Sequence, residues 1–158
     1  MSQLNMKMKE YVEHELHLRF SDFGYDGSLQ PTKVCMFFEY ARFQIAKDAH
    51  LFECFYDIDH DDEVQFPVVE MECEYMKPIY SDMEIVSKTT LSPSSLPRLD
   101  FYQSIVDKNS GEILVYASVK VAIVTRKRGM LLSINEDLKR CITSYLEKTK
   151  LNNEQRRK

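Results

Sequence analysis

Four consecutive stretches in the middle of the chain are rich in strand-forming residues, and the last of them, Ile113 to Thr125, shows the cleanest alternation of residues between two faces. Period-two alternation with β-branched and aromatic residues is typical of strands whose two faces meet different surroundings. Proline or turn-forming residues separate the stretches, and Asn109-Ser110-Gly111 is a hairpin signal. We therefore predict four successive antiparallel strands, over Val64 to Met76, Met83 to Leu91, Leu99 to Val106 and Ile113 to Thr125.

An apolar helix is predicted ahead of these strands. Pro31 suits a first helical turn, and the residues from Thr32 to His50 contain neither glycine nor proline. Apolar side chains cover nearly every face of this helix, which predicts that it is buried. A further strand is predicted over Tyr11 to Phe20. One early helix followed by antiparallel strands indicates an α+β fold in which the sheet wraps the helix.

The composition fits one domain. With 158 residues, of which 44% are hydrophobic, the chain is long enough for a single core. We expect a flexible N-terminus over residues 1–10, a domain over 11–147 that ends in a short amphipathic helix from Asn135 to Glu147, and a polar tail over 148–158. No stretch approaches the ~18 apolar residues of a membrane span, and the opening residues lack the apolar region of a signal peptide. We expect a cytoplasmic protein that does not bind membranes.

Charge and cysteine spacing disfavour several function classes. The net charge is −4 and no basic stripe is interleaved with aromatic residues, so nucleic-acid binding is not expected. The four cysteines show no CxxC spacing, so neither a disulfide framework nor a metal site is predicted, and we interpret them as core thiols. No cofactor is expected.

The segment from Phe20 to Arg42, FSDFGYDGSLQPTKVCMFFEYAR, carries a family resemblance. Its order of Asp22, Gly27, Phe38-Glu39 and Ala41-Arg42 resembles the D…G…FExAR skeleton of single-domain hotdog thioesterases related to 4-hydroxybenzoyl-CoA thioesterase. Weaker matches continue in the same order as far as Leu138. The resemblance implies a hotdog fold, in which an antiparallel sheet wraps one long helix, and it implies hydrolysis of acyl thioesters.

Two departures from that pattern keep a second function open. Gly24 stands where the acyl-CoA thioesterases usually carry the catalytic carboxylate, and Ser28-Leu29-Gln30-Pro31 replaces their His-Val-Asn-Asn. The glycine loop and the last strand look more like the N-terminal hotdog half of acyl-acyl-carrier-protein thioesterases, whose catalytic residues lie in the other half. The sequence therefore predicts either hydrolysis of an acyl-CoA or acyl-carrier-protein thioester, or a non-catalytic hotdog that binds or senses acyl thioesters.

Three carboxylates are the candidate catalytic groups. Hydrolysis needs a base or nucleophile together with donors for the oxyanion. Glu39, on the helix, has the alternative of pairing with Arg42 on the same face. Asp26 and Asp22, in and before the glycine loop, have the alternative of forming turns or caps. Backbone N–H groups near Gly27 and at the helix start are the candidate oxyanion donors.

Substrate-binding candidates lie in the loop, on the helix and near strand ends. Arg126 and Arg128 flank Lys127 and suit the phosphates of CoA or of a carrier protein, although a charged strand end needs no ligand. Ser94 and Ser95 are candidates for contact with the pantetheine arm, although serines beside prolines also form loops. Together with Gly27, Ser28 and Arg42, these residues complete the predicted binding set.

The predicted fold leaves its sheet edges and its cleft incomplete in one chain. Hotdog relatives close both by pairing protomers edge to edge. We therefore expect a homodimer or homotetramer with the active cleft at the interface.

Overall fold

One helix lies across the inner face of a five-stranded antiparallel sheet, as the sequence predicted. The computed structural model describes residues 11–50, 64–93, 98–127 and 136–156. In chain order the elements are β1 (Val12–Glu15), α1 (Pro31–Asp48), β2 (Val64–Gln65), β3 (Val68–Tyr75), β4 (Ile85–Pro93), β5 (Arg98–Asp107), β6 (Ile113–Ala122), β7 (Val124–Thr125) and α2 (Glu136–Arg156), with a 3₁₀ turn at Phe20–Asp22 between β1 and α1. The α+β class is confirmed.

The sheet order is β1-β4-β5-β6-β3, so β1 and β3 are the edge strands. β2 and β7 form a separate two-stranded pair. The predicted hairpin turn joins β5 to β6, where Gly111 takes a φ of +75° and its N–H donates to the Asp107 carbonyl at 2.8 Å. A two-residue gap with Pro67, which has no N–H to donate, splits the predicted strand over 64–76 into β2 and β3.

The core lies between α1 and the inner face of the sheet. Four residues of α1 are buried there: Val34, Phe38, Ala41 and Ile45. Val34, Phe38 and Ile45 belong to the same core cluster as alternate residues of β5 and β6, including Leu99, Phe101, Val119 and Val121. Ile142 brings α2 into the same core. This helix continues to Arg156, into the segment expected as a polar tail.

The outer face of α1 is not buried, which corrects the prediction of a helix enclosed on all sides. Met36, Tyr40 and Phe43 are each more than half exposed. One sheet covers only one face of a helix, so apolar residues on the opposite face remain at the surface of a single chain. The thiols also differ from the prediction: Cys35 is exposed, Cys73 and Cys141 are half-buried, and Cys54 lies outside the described residues.

Candidate functional site

The structure gives Asp22 a capping role. One carboxylate oxygen, Oδ2, accepts a hydrogen bond from the Arg19 N–H at 2.7 Å, which closes the 3₁₀ turn. The other, Oδ1, lies 3.8 Å from Nζ of Lys33 in the first turn of α1. The residue is buried. Asp22 therefore ties the end of the β1 segment to the start of the helix.

Asp26 forms an Asx turn at the exposed tip of the loop. Its Oδ1 accepts hydrogen bonds from the Ser28 N–H at 2.9 Å and the Ser28 hydroxyl at 2.8 Å. These bonds hold the pKa of Asp26 below its ordinary value because they favour the charged carboxylate. The turn that the sequence offered as an alternative to catalysis is therefore present.

The backbone donors from Gly27 to Gln30, at the end of the glycine loop, already have acceptors within the chain. The Gly27 N–H donates to the Gly24 carbonyl at 3.0 Å, and the Ser28 N–H donates to Asp26. The next two N–H groups donate to the carbonyls of Ile79 and Asp22, and those of Lys33 and Val34 in the first helical turn donate to Gln30. An oxyanion bound at these groups would have to displace an existing hydrogen bond.

Glu39 and Arg42 line one apolar cleft. The cleft has a volume of about 130 Å³ and lies between α1 and the β3 side of the sheet, with a lining that is otherwise Phe43, Ala46, Phe66, Val68, Leu99, Phe101 and Val121. Glu39 is exposed, and no hydrogen bond or ion pair within 4.0 Å joins it to another residue of the described ranges. Its carboxylate is thus the candidate without a structural partner in the described part of the chain.

Arg42 is held by a residue that the sequence reasoning missed. Its Nη1 donates to Oε1 of Gln103 at 2.9 Å. Gln103 is fully buried, and its Nε2 donates to the Phe38 carbonyl at 2.9 Å and to Thr89 Oγ1 at 3.2 Å. The available signal was a glutamine on the core-facing side of β5, between Phe101 and Ile105, where a buried amide must find partners.

The environment of the Arg42 guanidinium is mostly apolar. Burial lowers the pKa of Arg42 from its ordinary value, and the nearby charge of Glu39 opposes that change in part. The direct salt bridge between Glu39 and Arg42 that the sequence offered does not occur within 4.0 Å, as far as the described residues show. Arg42 therefore directs its charge toward Gln103 and the cleft.

A second, wider cleft lies at the start of α1. It has a volume of about 400 Å³ and is lined by Asp26, Ser28, Leu29, Pro31, Val34, Tyr75, Met76, Lys77, Pro78, Ile79 and Val115. Burial, and then a hydrogen bond with Cys73, raise the pKa of the Tyr75 phenol, so it stays neutral at physiological pH. The structure thus places Asp26 and Glu39 in two different clefts.

The remaining predicted binding residues lie at the edge of the described structure or outside it. Arg126 is exposed in the turn after β7. Ser94, Ser95 and Arg128 lie outside the described residues. Across the described ranges, no group of three or more His, Cys, Asp or Glu side chains is placed to hold a metal ion. None of the helices in those ranges is long and apolar enough to cross a membrane.

Comparison with solved structures identifies the architecture. The chain superposes on Slr0204, a 1,4-dihydroxy-2-naphthoyl-CoA thioesterase from Synechocystis, with a TM-score of 0.71 at 13% identity, covering 84% of this chain and 96% of that one. For YbaW, a probable thioesterase from Escherichia coli, the TM-score is 0.72 at 14% identity, with 87% and 98% covered.

A thioesterase from Thermus thermophilus, solved with coenzyme A and Zn, gives a TM-score of 0.67 at 18% identity, with 89% and 98% covered. Searches against models of protein families and against curated protein sequences gave no match. At these identities the likeness establishes the fold, and the hotdog fold predicted from the sequence is confirmed.

Proposed function

We propose that this protein hydrolyses acyl thioesters and that Glu39 is the general base. The observation that carries the proposal is the cleft in which a half-buried guanidinium and a carboxylate, unpaired within the described structure, share an apolar lining. An apolar pocket with a few converging polar groups is the usual form of a small-molecule site. Solved structures with this fold that are named as thioesterases support the reaction class.

The chemistry needs only water and the thioester. Glu39 takes a proton from a water molecule, whose oxygen attacks the carbonyl carbon and forms the new C–O bond. The C–S bond then breaks, and the proton passes from Glu39 to the departing thiolate. The products are a free carboxylic acid and a thiol, and the proposal uses no metal or redox cofactor.

The volume of the cleft at Glu39 favours a small acyl group. A cleft of about 130 Å³ is close to the ~150 Å³ engineered cavity that binds benzene. We therefore propose an acyl group of about six carbons or one aromatic ring beside Glu39. The wider cleft at Ser28 and Tyr75 would take the pantetheine arm, with Gly27 at the same loop.

The carrier of the acyl group is either CoA or an acyl carrier protein. Arg126 and Arg128 remain candidates for binding the phosphates of this carrier, because one guanidinium group can donate two parallel hydrogen bonds to phosphate oxygens. Ser94 and Ser95 remain candidates for the pantetheine arm.

We also propose that the protein acts as a homodimer or homotetramer. β3 is an eight-residue edge strand on which Val68, Val69 and Tyr75 are exposed, and Met76, directly after it, is exposed too. The exposed apolar residues of α1 provide further surface of the same character. An unpaired edge beside apolar surface suits pairing with a second copy, and a monodisperse monomer in light scattering would contradict this arrangement.

The test compares Glu39→Gln with Asp26→Asn. Thiol release is measured with short, medium, long and aromatic acyl-CoAs and with a medium-chain acyl carrier protein. Loss of the base should lower kcat by about 10²–10⁴-fold in Glu39→Gln. Asp26→Asn should keep most activity, because the amide Oδ1 can still accept the hydrogen bonds from Ser28.

Three outcomes would contradict the proposal. Full activity in Glu39→Gln would remove Glu39 as the base, and loss in Asp26→Asn alone would move the chemistry to the glycine loop. A wild-type protein that binds acyl-CoA without turnover would instead be the non-catalytic hotdog, with Gly24 at the vacant carboxylate position as the reason.

A further inference from the structure

Gln103 fixes the direction in which Arg42 presents its charge. The Phe38 carbonyl can only accept a hydrogen bond, so the Gln103 amide nitrogen must face it and the amide oxygen must face Arg42. The Thr89 hydroxyl takes the second N–H at 3.2 Å. A fully buried glutamine with three such bonds has one orientation.

Arg42 has donors to spare at the cleft. A guanidinium carries five N–H donors, and the described structure records one of them bonded, to Gln103. The other lining residues of the cleft, apart from Glu39, are apolar. A half-buried cation with few acceptors is costly, and an acceptor supplied by a ligand would offset that cost.

The backbone N–H groups from Gly27 to Gln30 are not free to replace Arg42 as donors. The N–H groups from Gly27 to Gln30 all have acceptors within the chain, and Asp26 and Glu39 line different clefts. A carbonyl placed beside Glu39 would therefore meet Arg42 before it met any donor of the loop.

We infer that Arg42, aimed by Gln103, binds the thioester carbonyl oxygen and stabilises the oxyanion that forms there. The inference rests on the proposed hydrolysis at Glu39 and adds a second catalytic residue, Arg42, with Gln103 as its positioning residue. A preorganised cation that is half-buried against an apolar lining stabilises developing negative charge more strongly than the same cation in water.

The kinetic test uses Arg42→Ala, Gln103→Met and the control Lys47→Ala, an exposed residue of the same helix. Loss of an oxyanion donor should lower kcat by about 10²–10³-fold in Arg42→Ala. KM should rise by a smaller factor, because Arg42 also binds the ground-state carbonyl. Added guanidinium ion at low millimolar concentration should restore part of that kcat. Gln103→Met should lower kcat by up to about 10²-fold through misplacement of Arg42. The double variant with Gln103→Met and Arg42→Ala should have a kcat only slightly below that of Arg42→Ala alone.

A binding measurement separates this inference from the proposed hydrolysis. Two non-hydrolysable CoA analogues are compared: a ketone that keeps the carbonyl and a thioether that lacks it. Wild type should bind the ketone more tightly, and Arg42→Ala and Gln103→Met should lose that preference while still binding the thioether as Lys47→Ala does.

Three results would overturn the inference while leaving hydrolysis by Glu39 intact. They are an active wild type whose Arg42→Ala variant keeps its kcat, the absence of guanidinium rescue in a variant that still binds the thioether, and an unchanged ketone preference. No turnover by wild type, with the ketone preference present and dependent on Arg42, would instead overturn the proposed hydrolysis and retain the carbonyl site.

Discussion

At the scale of single residues, Gly27 is the position on which the loop before α1 depends. Its φ is +80°, in the left-handed region, whereas Gly24 has no such requirement. A Cβ on Gly24 would meet no atom closer than 3.4 Å, and that atom belongs to the exposed Asp26 side chain. The two glycines, three positions apart, therefore differ in what they tolerate.

Gly27→Ala should lower the free energy of unfolding by about 1–2 kcal/mol because alanine is strained at positive φ. Gly24→Ala is the matched control and should change it by less than about 0.5 kcal/mol. Urea unfolding of both variants checks the difference. Equal losses would show that the loop does not need the left-handed backbone at Gly27.

His14 gives the fold a dependence on pH. Its Nδ1 is buried without a hydrogen-bond partner in the described structure, as is the hydroxyl of Ser87 directly opposite on β4. Burial lowers the pKa of His14 from 6.5, and the charge of Asp48 opposes this in part. As the pH falls, His14 therefore takes up its proton more readily in the unfolded chain than in the folded one. The stability that neutral His14 contributes is present above the pKa of His14 in the unfolded chain. It is lost as the pH falls through the pKa of His14 in the folded chain.

The melting temperature of wild type should fall between about pH 7 and pH 5, within the range where histidine titrates. The melting temperature of His14→Leu should fall less over the same interval, because this variant lacks the titrating imidazole. His17→Gln, which changes an exposed histidine nearby on the chain, serves as the control and should follow wild type. Identical pH profiles for wild type and His14→Leu would contradict the assignment.

At the scale of elements, the sequence pattern predicted the helices, strands and turns that depend on residues close to one another along the chain. The helix, the later strands and the turn at Gly111 follow from proline placement, alternation and glycine backbone freedom, and all are present. The first strand is shorter than predicted, because the chain leaves the sheet after Glu15 and closes a 3₁₀ turn on Asp22.

The site could be predicted only in part, because its contacts join distant parts of the chain. The segment around Glu39 and Arg42 was identifiable from sequence, but the Arg42 partner lies 61 residues away on β5. No local pattern pairs these positions, since strand order decides which strand runs under the helix. For the same reason, the sequence could not show that Asp26 and Glu39 line different clefts. That separation depends on how the sheet packs along α1.

At the scale of the whole molecule, the acidic edge of β3 constrains how two copies can meet. Glu70, Glu72 and Glu74 are exposed on one face of this strand, and only Glu70 has a cation nearby in the described structure, Lys120 at 2.8 Å. A two-fold axis perpendicular to the sheet pairs the two β3 strands so that the numbers of any two paired residues add up to the same sum. Paired residues point to the same face, and side chains alternate between faces, so this sum must be even. Even-numbered residues therefore pair with even-numbered ones. Every such register puts the two glutamate rows on the same face, and the registers that overlap the two strands along most of their length place the rows beside each other.

The proposed dimer should therefore associate more tightly as salt screens this repulsion. Dilution followed by light scattering, at about 0.05 M and about 0.5 M salt, should show a lower dissociation constant at the higher concentration. Glu72→Gln should strengthen association by about 0.2–1 kcal/mol per relieved pair and reduce the salt effect. Glu13→Gln removes a charge from the opposite edge strand, β1. This variant should leave the dissociation constant and its salt dependence unchanged. A dimer that responds to Glu13→Gln but not to Glu72→Gln would show that the copies pair through β1 instead.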